Sequence, residues 1–445
     1  MPRIVLVGAG SVEFTRNLLG DFLSLPELRE AEIVLHDIDG DRLATADRMA
    51  RWTAGALGAS PTIRGSLDRR EALAGADFVV NVIQVGGARA TQIDFDVPAR
   101  HGLRYTINDT INVGGVLRGL RTIPVVLGIA DDMARVCPGA LLLNYTNPMG
   151  MLVKAVEEGI GFPAVGLCHS VYWTVHSLAE YVGVPFEEVD ALSGGVNHLA
   201  WILRLEHRGT DLYPALRSFV ESGRVPEDDL VRADLFRRFG YYPTESSEHH
   251  AEYNPWFISK GQVEAFHIPI GEYLSRVANN QAEYEKTKRR LDAGEPFEIE
   301  LSGEYAPVIV RAMTTGQPAR IVANIMNHVD PGGFGGGAFI SNLAAGACVE
   351  VPALVDGLGV HPVGVGPLPL QCAAYTRPAV DCQELTVAAA LRKDRDLVYH
   401  AVLTDPQVQA TLSLDEAWRL TDELISAETE WLPGWLGGTA PDPIA

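Results

Sequence analysis

The chain has 445 residues, 47% hydrophobic and 21% charged, with a formal net charge of −21. That length asks for two lobes or one large interleaved domain, and the acidic balance disfavours nucleic acid and anionic membranes in favour of a small neutral or metal-bridged ligand. The start MPRIVLVGAG lacks the plan of a signal peptide, no apolar run reaches a membrane span, and five scattered cysteines make no disulfide framework, so a cytoplasmic protein with reduced thiols is expected.

From the N-terminus, short β-branched runs alternate with longer amphipathic stretches. Strands are expected at residues 3–7, 32–35, 78–82, 141–145 and 164–167. Helices are expected at 41–57, 120–134 and 148–158, where apolar positions recur at helical spacing. Continuous apolar strands separated by helices predict an α/β fold with a doubly wound parallel sheet covered on both faces. Its ligand should lie beside the carboxyl ends of the strands. After about residue 193 aromatics and charge increase, with helices expected at 272–291 and 414–431. Residues 332–337 (GGFGGG) read as a flexible loop and 360–369 as an irregular connector.

Gly8-Ala9-Gly10-Ser11 follows the first strand and precedes a helical pattern. Two readings stand: an ordinary turn, or a dinucleotide-binding turn whose glycines allow close backbone approach to a pyrophosphate. The third glycine of the fingerprint is replaced by Glu13. Asp37 ends the second strand, where a carboxylate can accept from both ribose hydroxyls of NAD and would repel the 2′-phosphate of NADP. Its distance of 29 positions from Gly8 asks for an extended first helix or loop. Asn81 and Asn144, at the ends of two further strands, are placed to line the same crevice or to cap turns.

Cys168-His169-Ser170-Val171 follows the last of these strands, and Asn197-His198 comes 30 residues later. A thiolate and an imidazole from two strand ends can hold a divalent cation with positions left open for substrate. The rival reading of Cys168 is a small buried hydrophobe. Together with GAGS, Asn144-Tyr145-Thr146-Asn147-Pro148, the stretch Gly114-Gly115 through Pro124, Pro243-Thr244-Glu245-Ser246-Ser247-Glu248-His249 and Ala347 to Pro352, these motifs resemble glycoside hydrolase family 4 in order and over nearly the whole chain. CHSV is similar to the form in the family's α-galactosidases, whereas the phospho-glycosidases carry CDMP or a CN-type sequence. Asn112-Val113 departs from the Gly-Pro common before the paired glycines.

The resemblance implies an NAD-binding Rossmann-like domain (residues 1–195) and a C-terminal α+β substrate-binding and oligomerisation domain (196–445), in a fold like that of lactate and malate dehydrogenases. It implies hydrolysis of α-galactosides with NAD and Mn²⁺ by oxidation, elimination, addition and reduction, an exception to the paired-carboxylate scheme. Gly8, Gly10, Ser11, Asp37, Asn81 and Asn144 then serve the cofactor, Cys168 and His198 the metal, and Asp109 and Asn147 the sugar. His169 stands where other members carry a general acid. Tyr241 or Tyr242 would be the C2 base, with Glu245 and Glu248 as alternatives. The adjacent His249-His250 could bind metal, although such pairs more often sit on a solvated face, and Trp431 and Trp435 read as packing or interface residues. A homodimer or homotetramer is favoured. The alternatives are an α-galacturonidase or α-glucuronidase of the same family, an NAD-dependent 2-hydroxy acid dehydrogenase, and a non-catalytic sensor of NAD or sugar.

Overall fold

The computed structural model describes residues 1–328 and 337–440, so residues 332–336 of the expected glycine loop lie outside it. Strands β1 (Arg3–Val7), β2 (Glu32–His36), β3 (Thr62–Ser66), β4 (Phe78–Asn81), β5 (Leu141–Asn144) and β6 (Ala164–Gly166) are parallel, in the spatial order β3-β2-β1-β4-β5-β6. Burial on both faces explains the unbroken apolar runs: Ile4, Val5, Leu6, Ile33, Leu35, Val79 and Leu142 are all inaccessible to solvent or nearly so. β3 escapes the sequence reading because it is an edge strand with Ile63 as its only buried residue. The order reverses between β1 and β4, which opens the crevice in which doubly wound sheets bind ligands.

The chain then adds β7 (Val189–Val196), β8 (Leu199–His207), β9 (Thr210–Asp211), β10 (Tyr242–Pro243), β11 (Ala319–Met326), β12 (Cys348–Asp356) and β13 (Gly359–Pro362). These strands pair antiparallel and extend the same sheet beyond β6 as β11-β12-β7-β8-β10, with β13 on β12 and β9 on β8. Buried polar or glycine residues such as Ser193, Gly194, Asn324 and Glu350 interrupt the apolar runs of β7, β11 and β12, which is why the sequence shows helices better than strands in this half. The expected connector at 360–369 begins as strand, because Val360, His361 and Pro362 pair with β12. The helix expected at 414–431 ends at Ala427; its start is fixed by a capping box between Ser413 and Glu416.

Helix Val113–Val136 is apolar and long enough to cross a membrane, but it is a core helix, packed against helices Met149–Ile160 and Leu370–Arg392. At its centre the buried guanidinium of Arg121 pairs with Asp94 at 2.7 Å and Glu428 at 2.9 Å, tying it to helix Gly87–Arg100 and to the end of helix Leu414–Ala427. Helix Glu272–Ala293 is mostly exposed and lies along the crevice. Arg42 reaches its Gln281 at 2.9 Å, Arg16 its Glu283 at 3.5 Å, and Tyr284 packs under the Arg42 guanidinium.

Candidate active site

The turns that leave the parallel strands border a cleft of about 1230 Å³. At one end lies the Gly8–Ser11 turn. Gly8 (φ +90°) and Ala9 donate to the His36 carbonyl at 2.9 and 3.0 Å. A Cβ on Gly8 would sit 3.0 Å from backbone atoms of Val82 and Ile83, and one on Gly10 would sit 2.5 Å from Asp37 Oδ2. Both positions therefore require glycine. Asp37 accepts the N–H groups of Gly10 at 2.7 Å and Asp39 at 2.9 Å, and each oxygen keeps a lone pair for a further donor. Helix Val12–Ser24 and a short 3-10 turn, Pro26–Leu28, fill the long spacing between Gly8 and Asp37. Gly8, Gly10, Ser11 and Asp37 all line the cleft.

Asn81 and Asn144 do not line it, which corrects the expectation. Both are buried under its floor, where Asn81 Nδ2 donates to Asn144 Oδ1 at 2.8 Å and Asn144 Nδ2 to the Thr146 carbonyl at 2.9 Å. Neighbouring parallel strands bring the two amides side by side, where they bond to each other and to Thr146 beneath the cleft.

At the other end the cleft meets Cys168, just beyond β6, and His198, in the two-residue connection between β7 and β8. Glu245 joins them from the turn after β10. Sulfur, imidazole and carboxylate donors of Cys168, His198 and Glu245 lie within 4.8 Å of one another, and Asp109, His198 and His249 form a second such trio. Thr110 Oγ1 donates to Asp109 Oδ1 at 2.7 Å and so accepts from His198 Nδ1 at 3.0 Å. That fixes the tautomer and leaves His198 Nε2 bare, 3.9 Å from Glu245. His198 (φ +62°) and Glu245 (φ +71°) are both left-handed, a strained state for residues with a Cβ and a common mark of functional sites. Burial, with the carboxylates of Glu245 and Glu350, pushes the Cys168 thiol well above its ordinary value. A thiol, imidazoles and carboxylates turned toward one another fit a divalent transition ion, whose charge would favour the thiolate.

Asp109, Asn147 and His169, expected to face a sugar, also line the cleft. Asn147 Nδ2 donates to Asp109 Oδ2 at 3.0 Å. His169 Nδ1 lies 2.6 Å from Glu304 Oε1. Burial alone would lower this imidazole, but the carboxylates of Glu304 and Glu245 outweigh it and hold it above its usual value.

Tyr241 does not reach the cleft. It packs edge-to-face on Tyr213, with ring centres 6.1 Å apart, and Tyr242 is buried with its hydroxyl donating to Asp229 at 2.7 Å. Pairing of Tyr242 and Pro243 with β8 turns this segment into the sheet and away from the cleft. The cleft holds Tyr273 instead, whose hydroxyl accepts from Arg118 Nη1 at 2.8 Å. Arg118 is buried, donates to the Asn147 carbonyl at 3.1 Å and stands 3.8 Å from Asp109. Nothing in the local sequence marks Tyr273, since helix Glu272–Ala293 reads as an ordinary polar helix. Trp431 also borders the cleft, beside Gly86 and under Arg89. His249 and His250 are buried, against the expectation of a solvated face.

Residues 3–184 match the model of the family 4 glycosyl hydrolases, and residues 193–408 that of the family's C-terminal domain. The chain is 38% identical to an α-galactosidase of Bacillus subtilis, over 97% of this chain and 99% of that one. It is 36% identical to an α-galactosidase of Rhizobium meliloti, over 97% of this chain and 89% of that one. Among solved structures, the 6-phospho-β-glucosidase of Thermotoga maritima with manganese, NAD⁺ and glucose-6-phosphate has the same fold. It has a TM-score of 0.79 at 21% identity, over 97% of this chain and 99% of that one. With both family models matched in order along a fold and cleft of this kind, the chain belongs to the family 4 glycosyl hydrolases.

Proposed function

We propose that this enzyme hydrolyses α-galactosides using NAD and a divalent ion, Mn²⁺, as resident groups. The observation that carries the reading is one continuous cleft with a glycine-lined dinucleotide turn at one end and the Cys168–His198–Glu245 donors at the other. When bound, NAD would take hydride from the sugar C3 and later return it, while the ion would polarise the C3 ketone and so acidify the C2 proton.

The chain's own residues supply the rest. Asp109 and Asn147, locked together, orient sugar hydroxyls in front of the metal donors. Tyr273 is placed to remove the C2 proton, with Arg118 fixing positive charge against the oxygen that would lose its own proton. His169, held by Glu304, is placed to protonate the leaving glycosidic oxygen. Both roles rest on position and hydrogen bonding in the cleft.

The α-galacturonidase reading needs a spare cation for a C6 carboxylate. Arg118 is engaged with Tyr273, Asn147 and Asp109, and Arg276 pairs with Glu272 at 2.5 Å, which favours a neutral sugar. The 2-hydroxy acid dehydrogenase reading leaves the Cys168–His198 donors unused. A cytoplasmic location is supported by five cysteines that are all unpaired. A homodimer or homotetramer, which light scattering on the purified protein measures, is suggested by the exposed indoles of Trp173 and Trp256.

The test is nitrophenol release from α- and β-nitrophenyl galactosides, glucosides and uronides under reducing conditions, with NAD and Mn²⁺ each added or withheld. Turnover of the α-galactoside only with both present, and without net NADH, is the expected result. Activity on uronides alone would move the substrate, and NADH accumulating on hydroxy acids with no glycoside cleaved would overturn the reading.

A further inference from the structure

His249 and His250 are adjacent and both buried, yet their rings are used differently. His250 is satisfied: Nε2 lies 2.7 Å from the Thr244 carbonyl and Nδ1 3.5 Å from the Tyr375 hydroxyl. His249 is only half satisfied. Its Nδ1 lies 2.9 Å from Ser246 Oγ and 3.5 Å from Glu245 Oε1, so a proton on Nδ1 serves both oxygens. Its Nε2, in a residue 3% exposed, has no hydrogen-bond partner among the described residues. With Nδ1 protonated, Nε2 carries a bare lone pair.

That ring stands edge-to-face against His198, with centres 4.6 Å apart, and its donor falls within 4.8 Å of those of Asp109 and His198. His198 is therefore shared between two trios, one containing Cys168 and Glu245, the other Asp109 and His249. Each imidazole is also held from behind by an oxygen on its Nδ1, Thr110 for His198 and Ser246 for His249. This is the usual second support of a metal-binding histidine. A thiolate and one imidazole leave most positions of a Mn²⁺ ion to be filled, and an ion of this class takes nitrogen and oxygen donors readily.

We propose that His249 is a further protein ligand of the divalent ion, coordinating through Nε2 beside His198 and making the site a two-histidine centre. The inference rests on the metal-dependent reading above and goes beyond it. A second imidazole anchors the ion when no sugar is bound, and it leaves Cys168 as one of several holding groups, so the ion's retention depends less on the state of the thiol.

The experiment uses the full-length, NAD-loaded protein with ¹⁵N-labelled histidine and added Mn²⁺, and counts the imidazole nitrogens coupled to the ion by pulsed electron paramagnetic resonance. Two are expected in the wild-type protein and one in His249→Gln. Calorimetric titration with Mn²⁺ alone should show an affinity at least tenfold weaker in that variant. A single coupled nitrogen in the wild-type protein would overturn the proposal while leaving a metal-dependent enzyme, and the count needs no variant to fold. Wild-type affinity in a folded His249→Gln protein would overturn it equally and assign Nε2 to a sugar hydroxyl or a water. No binding of Mn²⁺ at all would overturn the proposal together with the metal-dependent reading.

Discussion

Gly10 approaches Asp37 so closely that a methyl group at this position would displace the carboxylate or the turn itself. Gly10→Ala is therefore expected to weaken NAD binding at least tenfold, about 1.4 kcal/mol, with the melting temperature of the unliganded protein little changed; fluorescence titration with NAD measures it. At Tyr273 the expectation falls on the chemical step. Tyr273→Phe keeps the ring on Arg118 and removes the hydroxyl, so kcat on the nitrophenyl α-galactoside should fall on the order of 10²- to 10⁴-fold with KM nearly unchanged. A variant with wild-type kcat would rule Tyr273 out as the base. Residues with local signatures were legible in the sequence: Gly8 and Gly10 after a strand, Cys168 and His198 at strand ends, and Asp109 and Asn147 through the family resemblance. Tyr273 and Arg118 were not, because their meaning comes from a helix laid along the crevice and from a contact between positions 155 residues apart. Asn81 and Asn144 misled because the end of a strand can point its side chain into the cleft or under it.

The segment from Tyr105 to Val113, which delivers Asp109 and Thr110, is held by two buried carboxylates from other elements. Glu252 accepts the N–H groups of Thr106, Ile107 and Asn108 at 2.9–3.0 Å, and Asp405 accepts the Tyr105 hydroxyl at 2.7 Å and the Val113 N–H at 2.9 Å. Burial raises Glu252 to about 8 in spite of the hydrogen bonds that favour its anion, and burial likewise raises Glu350 to about 8. In the unfolded chain both titrate near 4.5. A raised carboxyl binds its proton more tightly when folded, so its contribution is complete below that unfolded value and is lost as pH rises through about 8. Thermal melts from pH 5 to 9 should show this decline, and Glu252→Gln, uncharged throughout, should flatten it by about 1.4 kcal/mol per pH unit at most. Arg121 gives a second test among the elements. Arg121→Met strands Asp94 and Glu428 as buried unpaired acids and is expected to cost about 3–5 kcal/mol, read as a lower denaturant midpoint. Elements buried on both faces were plain in the sequence, whereas β7, β11 and β12 were not, because Ser193-Gly194-Gly195, Asn324 and Glu350 interrupt the apolar character of their buried stretches.

At the scale of the whole molecule, the parallel and antiparallel halves share one sheet and one main core. Helix Leu370–Arg392, from the second half, packs on helices Val113–Val136 and Met149–Ile160 of the first. Calorimetry should accordingly record a single cooperative transition, and a chain cut after residue 184 should not fold stably, since it loses both β11 and that helix; two separable transitions would argue for independent domains. The join has a further consequence for how the molecule is made. β6 pairs with β5 along one edge and finds the partner for its other edge in β11, where Gly166 faces Asn324. On a ribosome adding roughly 5–20 residues per second, the roughly 150 residues between them take roughly 8–30 s to emerge. Throughout that interval the nascent first half carries an open, apolar-flanked strand edge, the kind of surface that recruits other chains. Synthesis, more than the finished enzyme, is therefore the stage at which this protein is most exposed to aggregation and most dependent on whatever shields a growing chain.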